Sequence, residues 1–149
     1  MVTHPPQAVP VLVVDDDEGF LRVASRVLAA SPTDFAVSTV RSGTEALAFL
    51  EQRPPFADAP RPAFVILDLR LPDMDAPEVL ARLSAGGTLR DLPVLVISQA
   101  GWPDDEAALR SAGATEFRTK PSRVAALRDI VLGFWRDHVE AGGGPPGAA

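Results

Sequence analysis

The chain has 149 residues, 46% of them hydrophobic and 23% charged, with a formal net charge of −6, which suits one domain with a proper core. The acidic balance and the lack of any long basic run argue against nucleic acid as a direct partner. There is no cysteine, so disulfides and thiolate chemistry are excluded, and the only two histidines, His4 and His138, sit near opposite ends, from which a histidine-built metal cluster or triad is hard to assemble.

The opening residues, Met1 to Pro6, lack the basic-then-apolar pattern of a signal peptide. No apolar run is long enough to span a bilayer, and a cytoplasmic location with no membrane partner is the default expectation. Residues 1–8 read as a loose lead-in, 9–139 as the domain and 140–149 as a flexible, disordered Gly/Pro-rich tail.

Val9 to Val14 is an apolar run that predicts a buried strand, with Pro10 tolerated near its start. Asp15-Asp16-Asp17-Glu18 follows directly. Phe20, Leu21, Ala24, Val27 and Leu28 then recur at helical spacing, predicting a helix to about Ala30. Phe35 to Val40 is a more polar strand. Ser42 and Glu45 form a capping box before a helix that stops at Arg53-Pro54-Pro55. A Pro-rich loop leads into Ala63-Phe64-Val65-Ile66-Leu67, a strand of β-branched and bulky residues that ends on the carboxylate of Asp68.

Pro77 fits the first turn of the next helix, whose stripe is Val79, Leu80 and Leu83 and whose end is Gly86-Gly87. Val94 to Ile97 is another buried strand, ending at Ser98. Asp104 to Ala112 is a short Ala-rich helix, and Thr115 to Arg118 a brief strand carrying Phe117. Thr119-Lys120-Pro121 follows, and Ser122 is the expected cap of a last helix with Leu127, Ile130, Val131 and Phe134 on one face and Trp135 at its edge. Five alternations of strand and helix predict a parallel sheet with helices on both faces, an α/β fold. The runs at 9–14, 63–67 and 94–97 are the most apolar and belong in the centre; those at 35–40 and 115–118 belong at the edges.

In such a sheet the carboxyl ends of the strands share one side. Four of the five carry polar groups there: Asp15-Asp16-Asp17, Asp68, Ser98 and Lys120. Clustered carboxylates call for a cation, and Mg²⁺ suits one or two carboxylates plus water. A carboxylate beside that ion can attack phosphorus and form an acyl phosphate. A lysine and a serine hydroxyl would bind the phosphate oxygens. Singly, each feature has a plainer reading: Asp15-Asp16-Asp17 as a helix cap, Ser98 as a turn residue, Lys120 as a surface lysine. Asp68 is harder to dismiss, because a carboxylate directly after a buried run needs a partner.

The segments Val13-Val14-Asp15-Asp16-Asp17, Leu67 to Asp75, Val96-Ile97-Ser98 and Gly113 to Pro121 resemble, in order and spacing, the receiver domain of two-component response regulators. The resemblance covers about Val9 to Val139. It implies a flavodoxin-like three-layer α/β/α sandwich with five parallel strands in the order 2-1-3-4-5. It further implies that Asp68 accepts a phosphoryl group from a phosphohistidine on a histidine kinase or histidine phosphotransfer protein. Asp15, Asp16 and Asp68 would form the Mg²⁺ site, with the backbone carbonyl of Arg70. Lys120 would contact the phosphoryl group, Ser98 would hydrogen-bond it and shift, and Phe117 would be the switch aromatic that turns inward. The domain would catalyse only its own phosphoryl transfer and autodephosphorylation.

The chain departs from the family pattern at a few positions. Ala76 stands where glycine is usual, so the loop after Asp68 is expected to take a slightly different path. Gln99 follows the switch hydroxyl where a small residue is usual, and Arg70 and Ala100 occupy the positions that tune phosphoryl lifetime. Trp102 could anchor a partner or pack on the last helix. His4 and His138 are expected to be solvated. Two other functions stand beside the main one. A phosphohydrolase of the haloacid dehalogenase type needs a second acid where Arg70 stands. A receiver-like interaction scaffold not regulated by phosphorylation would normally have lost an acid or the lysine. The expected output is contact of the 104–139 face with a protein target or a second copy, unless the chain is a fragment cut in a linker.

Overall fold

The computed structural model describes residues 8–99 and 103–140, with the side chains of residues 103–105 left aside. The expectations for His4, Ala100, Trp102 and the Gly/Pro tail therefore lie outside the described residues. The chain order is β1 (Val9–Val14), α1 (Glu18–Ala29), β2 (Phe35–Val40), α2 (Gly43–Leu50), β3 (Phe64–Asp68), α3 (Ala76–Ala85), β4 (Val94–Ser98), α4 (Pro103–Ala112), β5 (Glu116–Thr119) and α5 (Val124–Trp135). A π-helical turn, Arg136–Glu140, continues α5. The strands pair in parallel in the order β2-β1-β3-β4-β5. The three most apolar runs occupy the centre and the two more polar ones the edges.

The continuous apolar runs are explained by burial on both faces. Leu12, Val14, Val65, Leu67, Val94 and Val96 join one cluster with Leu47, Leu80, Leu83 and Leu109, from α2, α3 and α4. Their neighbours Val11, Val13, Phe64, Ile66, Leu95 and Ile97 join the other, with Leu28, Leu127 and Phe134, from α1 and α5. Successive strand residues thus point to opposite layers, and each fully buried Leu, Ile or Phe contributes about 1.5–3 kcal/mol. Trp135 packs edge-on against Phe35, with ring centroids 5.4 Å apart, and lies 6.1 Å from Phe64.

Local chemistry ends the elements as the sequence predicts, with exceptions. Ser42 Oγ accepts the Glu45 N–H at 3.1 Å, and Glu45 Oε1 accepts the Arg41 N–H at 2.9 Å. Ser122 does not cap α5. That helix begins one residue later, with Arg123 in the capping position and no side-chain capping bond. His138 is half-buried rather than fully solvated. It packs on the Phe134 ring at 4.7 Å, one helical turn back, and its Nε2 lies 3.6 Å from Glu116 on β5. Ala76 is fully buried at the start of α3 and needs no glycine-like backbone: the positive-φ non-glycine residues described are Gln52 and Asp91.

Candidate functional site

The carboxyl ends of β1, β3 and β4 and the segment after β5 converge on an open pocket of about 270 Å³. Asp15, Asp16 and Asp68 line it with Ser98 and Lys120, and Arg70 and Gln99 stand at its rim. The apolar strand residues beneath are what bring these groups together. Asp15 is 1% exposed, Ser98 6% and Asp68 8%, burial that polar groups tolerate only with partners. Lys120 is the main partner. Its Nζ lies 2.7 Å from Asp15 Oδ2 and 3.4 Å from Asp68 Oδ1. The Lys120 backbone N–H donates to the Ser98 carbonyl at 2.6 Å, which ties the segment after β5 to the end of β4. The ammonium also lies 4.5 Å above the centroid of the Phe20 ring.

Electrostatics follow from this crowding. Burial, then the negative charge of Asp15, pushes the Asp68 carboxyl up to about 6 against the opposing pull of Lys120. Burial alone would lower the Lys120 ammonium, but hydrogen bonding and attraction from Asp15 and Asp68 outweigh it, so the net shift is upward. Lysine therefore stays charged and the carboxylates share one cation.

That cation does not satisfy them. Ligand oxygens of Asp15, Asp16 and Asp68 all lie within 4.8 Å of one another. Asp15 Oδ2 is buried, and its close polar neighbour is the Lys120 ammonium at 2.7 Å. An all-oxygen acidic donor set, three carboxylates around one ammonium, fits a hard divalent ion. Asp17, by contrast, caps α1, its Oδ1 accepting the Gly19 N–H at 2.9 Å. Its own N–H is held by Asp15 Oδ1 at 2.9 Å, which orients the buried carboxylate.

Phe117 lies outside the pocket lining. It is half-buried on β5, packed against the α2–α4 layer. The pairings Val96↔Phe117 and Ser98↔Thr119 put Phe117 on the same sheet face as Ser98, one side-chain step back. Two contributors were not predicted. Phe20, read as a core residue of α1, forms the apolar floor under Lys120. Asp73, in the loop after β3, hydrogen-bonds the amino end of α2.

The family model for the response regulator receiver domain matches residues 11–132. The chain belongs to this family. Response regulator Rcp1 of Synechocystis sp. is 32% identical over 140 residues, covering 92% of this chain and 94% of that protein. The transcriptional regulatory protein PrrA of Mycobacterium leprae is 38% identical over 117 residues; this chain spans about half of it, 46%. Among solved structures, the phosphorylated cyanobacterial phytochrome response regulator RcpA superposes with a TM-score of 0.80 at 33% identity, over 89% of this chain and 94% of that one. The Mn²⁺-bound form of Rcp1 superposes at 0.78 with 31% identity, over 89% and 96%. The protein is thus a receiver domain of the two-component type, a signalling module with the flavodoxin-like fold. Receiver domains bind a divalent metal at an acidic site and interact with histidine kinases and downstream targets. Asp15, Asp16 and Asp68 form such an acidic pocket here. No helix among the described residues is long and apolar enough to cross a membrane.

Proposed function

We propose that the domain receives a phosphoryl group on Asp68 from a phosphohistidine. The observation that carries this is the placement of one buried carboxylate, Asp68, beside a lysine ammonium and two further acids at the mouth of the sheet. An Asp68 carboxylate oxygen bonds to phosphorus, the phosphorus–nitrogen bond of the donor breaks, and the imidazole leaves with that electron pair and takes up a proton. Asp15, Asp16, Asp68 and the Arg70 carbonyl are the residues that would hold Mg²⁺. When bound, the ion supplies positive charge opposite the phosphoryl oxygens. Lys120 would supply a second positive charge to the phosphoryl group, and its pairing with Asp15 holds the ammonium in the pocket before the donor arrives. Ser98 donates its hydroxyl to the phosphoryl oxygens and shifts toward them, and Phe117 turns inward behind it.

The same residues catalyse slow hydrolysis of the acyl phosphate, and the domain acts in the cytoplasm. Residues 9–139 form the functional unit. Signal leaves through the 104–139 face, to a protein target or a second copy. Because RcpA is described as a phytochrome response regulator and is matched over nearly its whole length, we take a photoreceptor kinase as the donor class to test first.

A small acyl phosphate plus Mg²⁺ tests the core of the reading. Intact-mass measurement is expected to show one added phosphoryl group on the native protein and none on Asp68→Asn. Failure to label the native protein would favour the phosphorylation-independent scaffold.

A further inference from the structure

We propose that Asp73 is a positioning residue of the phosphorylation pocket, fastening the loop between β3 and α3 to the amino end of α2. The proposal rests on the roles given above to Asp68 and Arg70. Helix α2 begins at Gly43 with backbone N–H groups that no helical carbonyl can satisfy. Ser42 Oγ accepts one of them, from Glu45. Asp73, thirty residues downstream, takes two more. Its Oδ1 accepts the Gly43 N–H at 2.8 Å, and its Oδ2 accepts the Thr44 N–H at 2.8 Å and the Thr44 hydroxyl at 2.5 Å. A carboxylate at a helix amino end is also favoured by the helix dipole.

The loop is built to deliver this carboxylate. Arg70 and Asp75 face each other in an antiparallel bridge, and the Leu71 N–H donates to the Met74 carbonyl at 3.3 Å. Asp73 is therefore at the tip of a small closed loop whose base holds Arg70. At that base the Leu69 N–H donates to the Ile97 carbonyl and the Leu69 carbonyl accepts from Ala76. Leu69 and Leu71 are buried in the core, so the loop is pinned from below, and Asp73 pins its far end. The close approach depends on Gly43. A Cβ there would overlap Met74 Cγ and stand 3.2 Å from Val79 Cγ2. The neighbouring loop is held from the same junction, since Arg41 donates to the Asp16 carbonyl at 3.2 Å and pairs with Glu18. The start of α2 thus braces both loops that carry the acidic ligands.

A plain helix cap would stabilise α2 without touching the pocket, and the two roles separate experimentally. Asp73→Ala and Ser42→Ala each remove a cap from the same helix end, and both lower the urea midpoint. Isothermal titration of the unphosphorylated proteins with Mg²⁺ distinguishes them. Asp73→Ala weakens binding roughly tenfold, the low end for residues that orient ligands from outside. Ser42→Ala leaves the affinity unchanged within error. Asp73→Asn, which keeps an acceptor oxygen, recovers part of the loss. In metal-free protein, amide exchange at Leu71 and Ala76 speeds up in Asp73→Ala and not in Ser42→Ala. Equal Mg²⁺ affinity in Asp73→Ala and native protein, or equal losses in Asp73→Ala and Ser42→Ala, overturns the proposal. If the native protein neither binds Mg²⁺ nor takes a phosphoryl group, the function proposed above has failed, and the exchange at Leu71 and Ala76 still decides whether Asp73 holds the loop.

Discussion

Removing the charge of Asp68 should stabilise the metal-free domain, although Asp68 is the residue the pocket is arranged around. Asn has nearly the same shape and can still accept a hydrogen bond from Lys120. The structure sets the magnitude. Burial and the Asp15 charge move the Asp68 carboxyl from the ordinary 3.8 to about 6, a ceiling of about 3 kcal/mol at about 1.4 kcal/mol per pKa unit. The pocket opens to water, which screens part of this, so we expect a gain of about 1–2 kcal/mol. An acid whose folded pKa is raised binds its proton more tightly when folded. The penalty is therefore absent below pH 3.8, grows up to about pH 6 and is constant above it. Urea unfolding in the presence of a chelator, at about pH 8 and about pH 4, should show Asp68→Asn more stable at the higher pH and level with native protein at the lower. Excess Mg²⁺ should then reverse the order, since a ligand at a hundred times its Kd adds about 2.7 kcal/mol to the protein that binds it. A variant less stable than native at the higher pH, or a difference that ignores pH, would refute the reasoning.

Gln99 and Arg70 line the pocket; if they hinder an attacking water, Gln99→Ala should shorten the half-life of the phosphorylated protein by up to about tenfold, the effect of about 1.4 kcal/mol in the barrier. A slower or unchanged loss of label would contradict that role. Phe64 is fully buried and its ring meets Phe35, Phe134 and Trp135, so Phe64→Ala should cost about 3–5 kcal/mol in denaturant unfolding. A loss below about 1 kcal/mol would mean the aromatic layer is not packed as described. Asp73 is held down to about 2, chiefly by the Thr44 hydroxyl. Its contribution is present above pH 3.8 and lost as pH falls toward about 2, so the Gly43 and Thr44 amide resonances should titrate with a midpoint near about 2. A midpoint at the ordinary carboxylate value would show that the hydrogen bonds do not persist in solution.

The sheet was legible because both its faces are covered. A strand such as Phe64–Asp68 then carries an unbroken apolar run that little else in a domain this size requires. The acids and the lysine were legible because a parallel sheet gathers strand ends that are distant in sequence. Contacts set by loop trajectory were not legible. Nothing in the run Leu69 to Asp75 says that Asp73 reaches α2, since that depends on the bridge at Arg70 and on the bare face of Gly43. Ser122 carried a capping signature, yet α5 starts one residue past the position it could serve. His138 looked solvated because it lies past the apolar face of α5, although its i,i+4 spacing from Phe134 already allows the two rings to meet. Lys120 sits closer to Asp15 than to Asp68, a preference that the order of residues along the chain cannot express.

The lysine pairing has one more consequence. The carboxylates of Asp15, Asp16, Asp17 and Asp68 against Lys120 and Arg70 leave the pocket lining two negative charges in excess. A divalent ion cancels both. A phosphoryl group on Asp68 would replace a single charge by a double one and so bring back one negative charge. Ion and phosphoryl group are then reciprocal effectors: whatever factor the ion adds to the stability of the acyl phosphate, the acyl phosphate adds to the affinity for the ion. On the proposed function the domain would read two inputs, the donor that phosphorylates it and the free concentration of the ion.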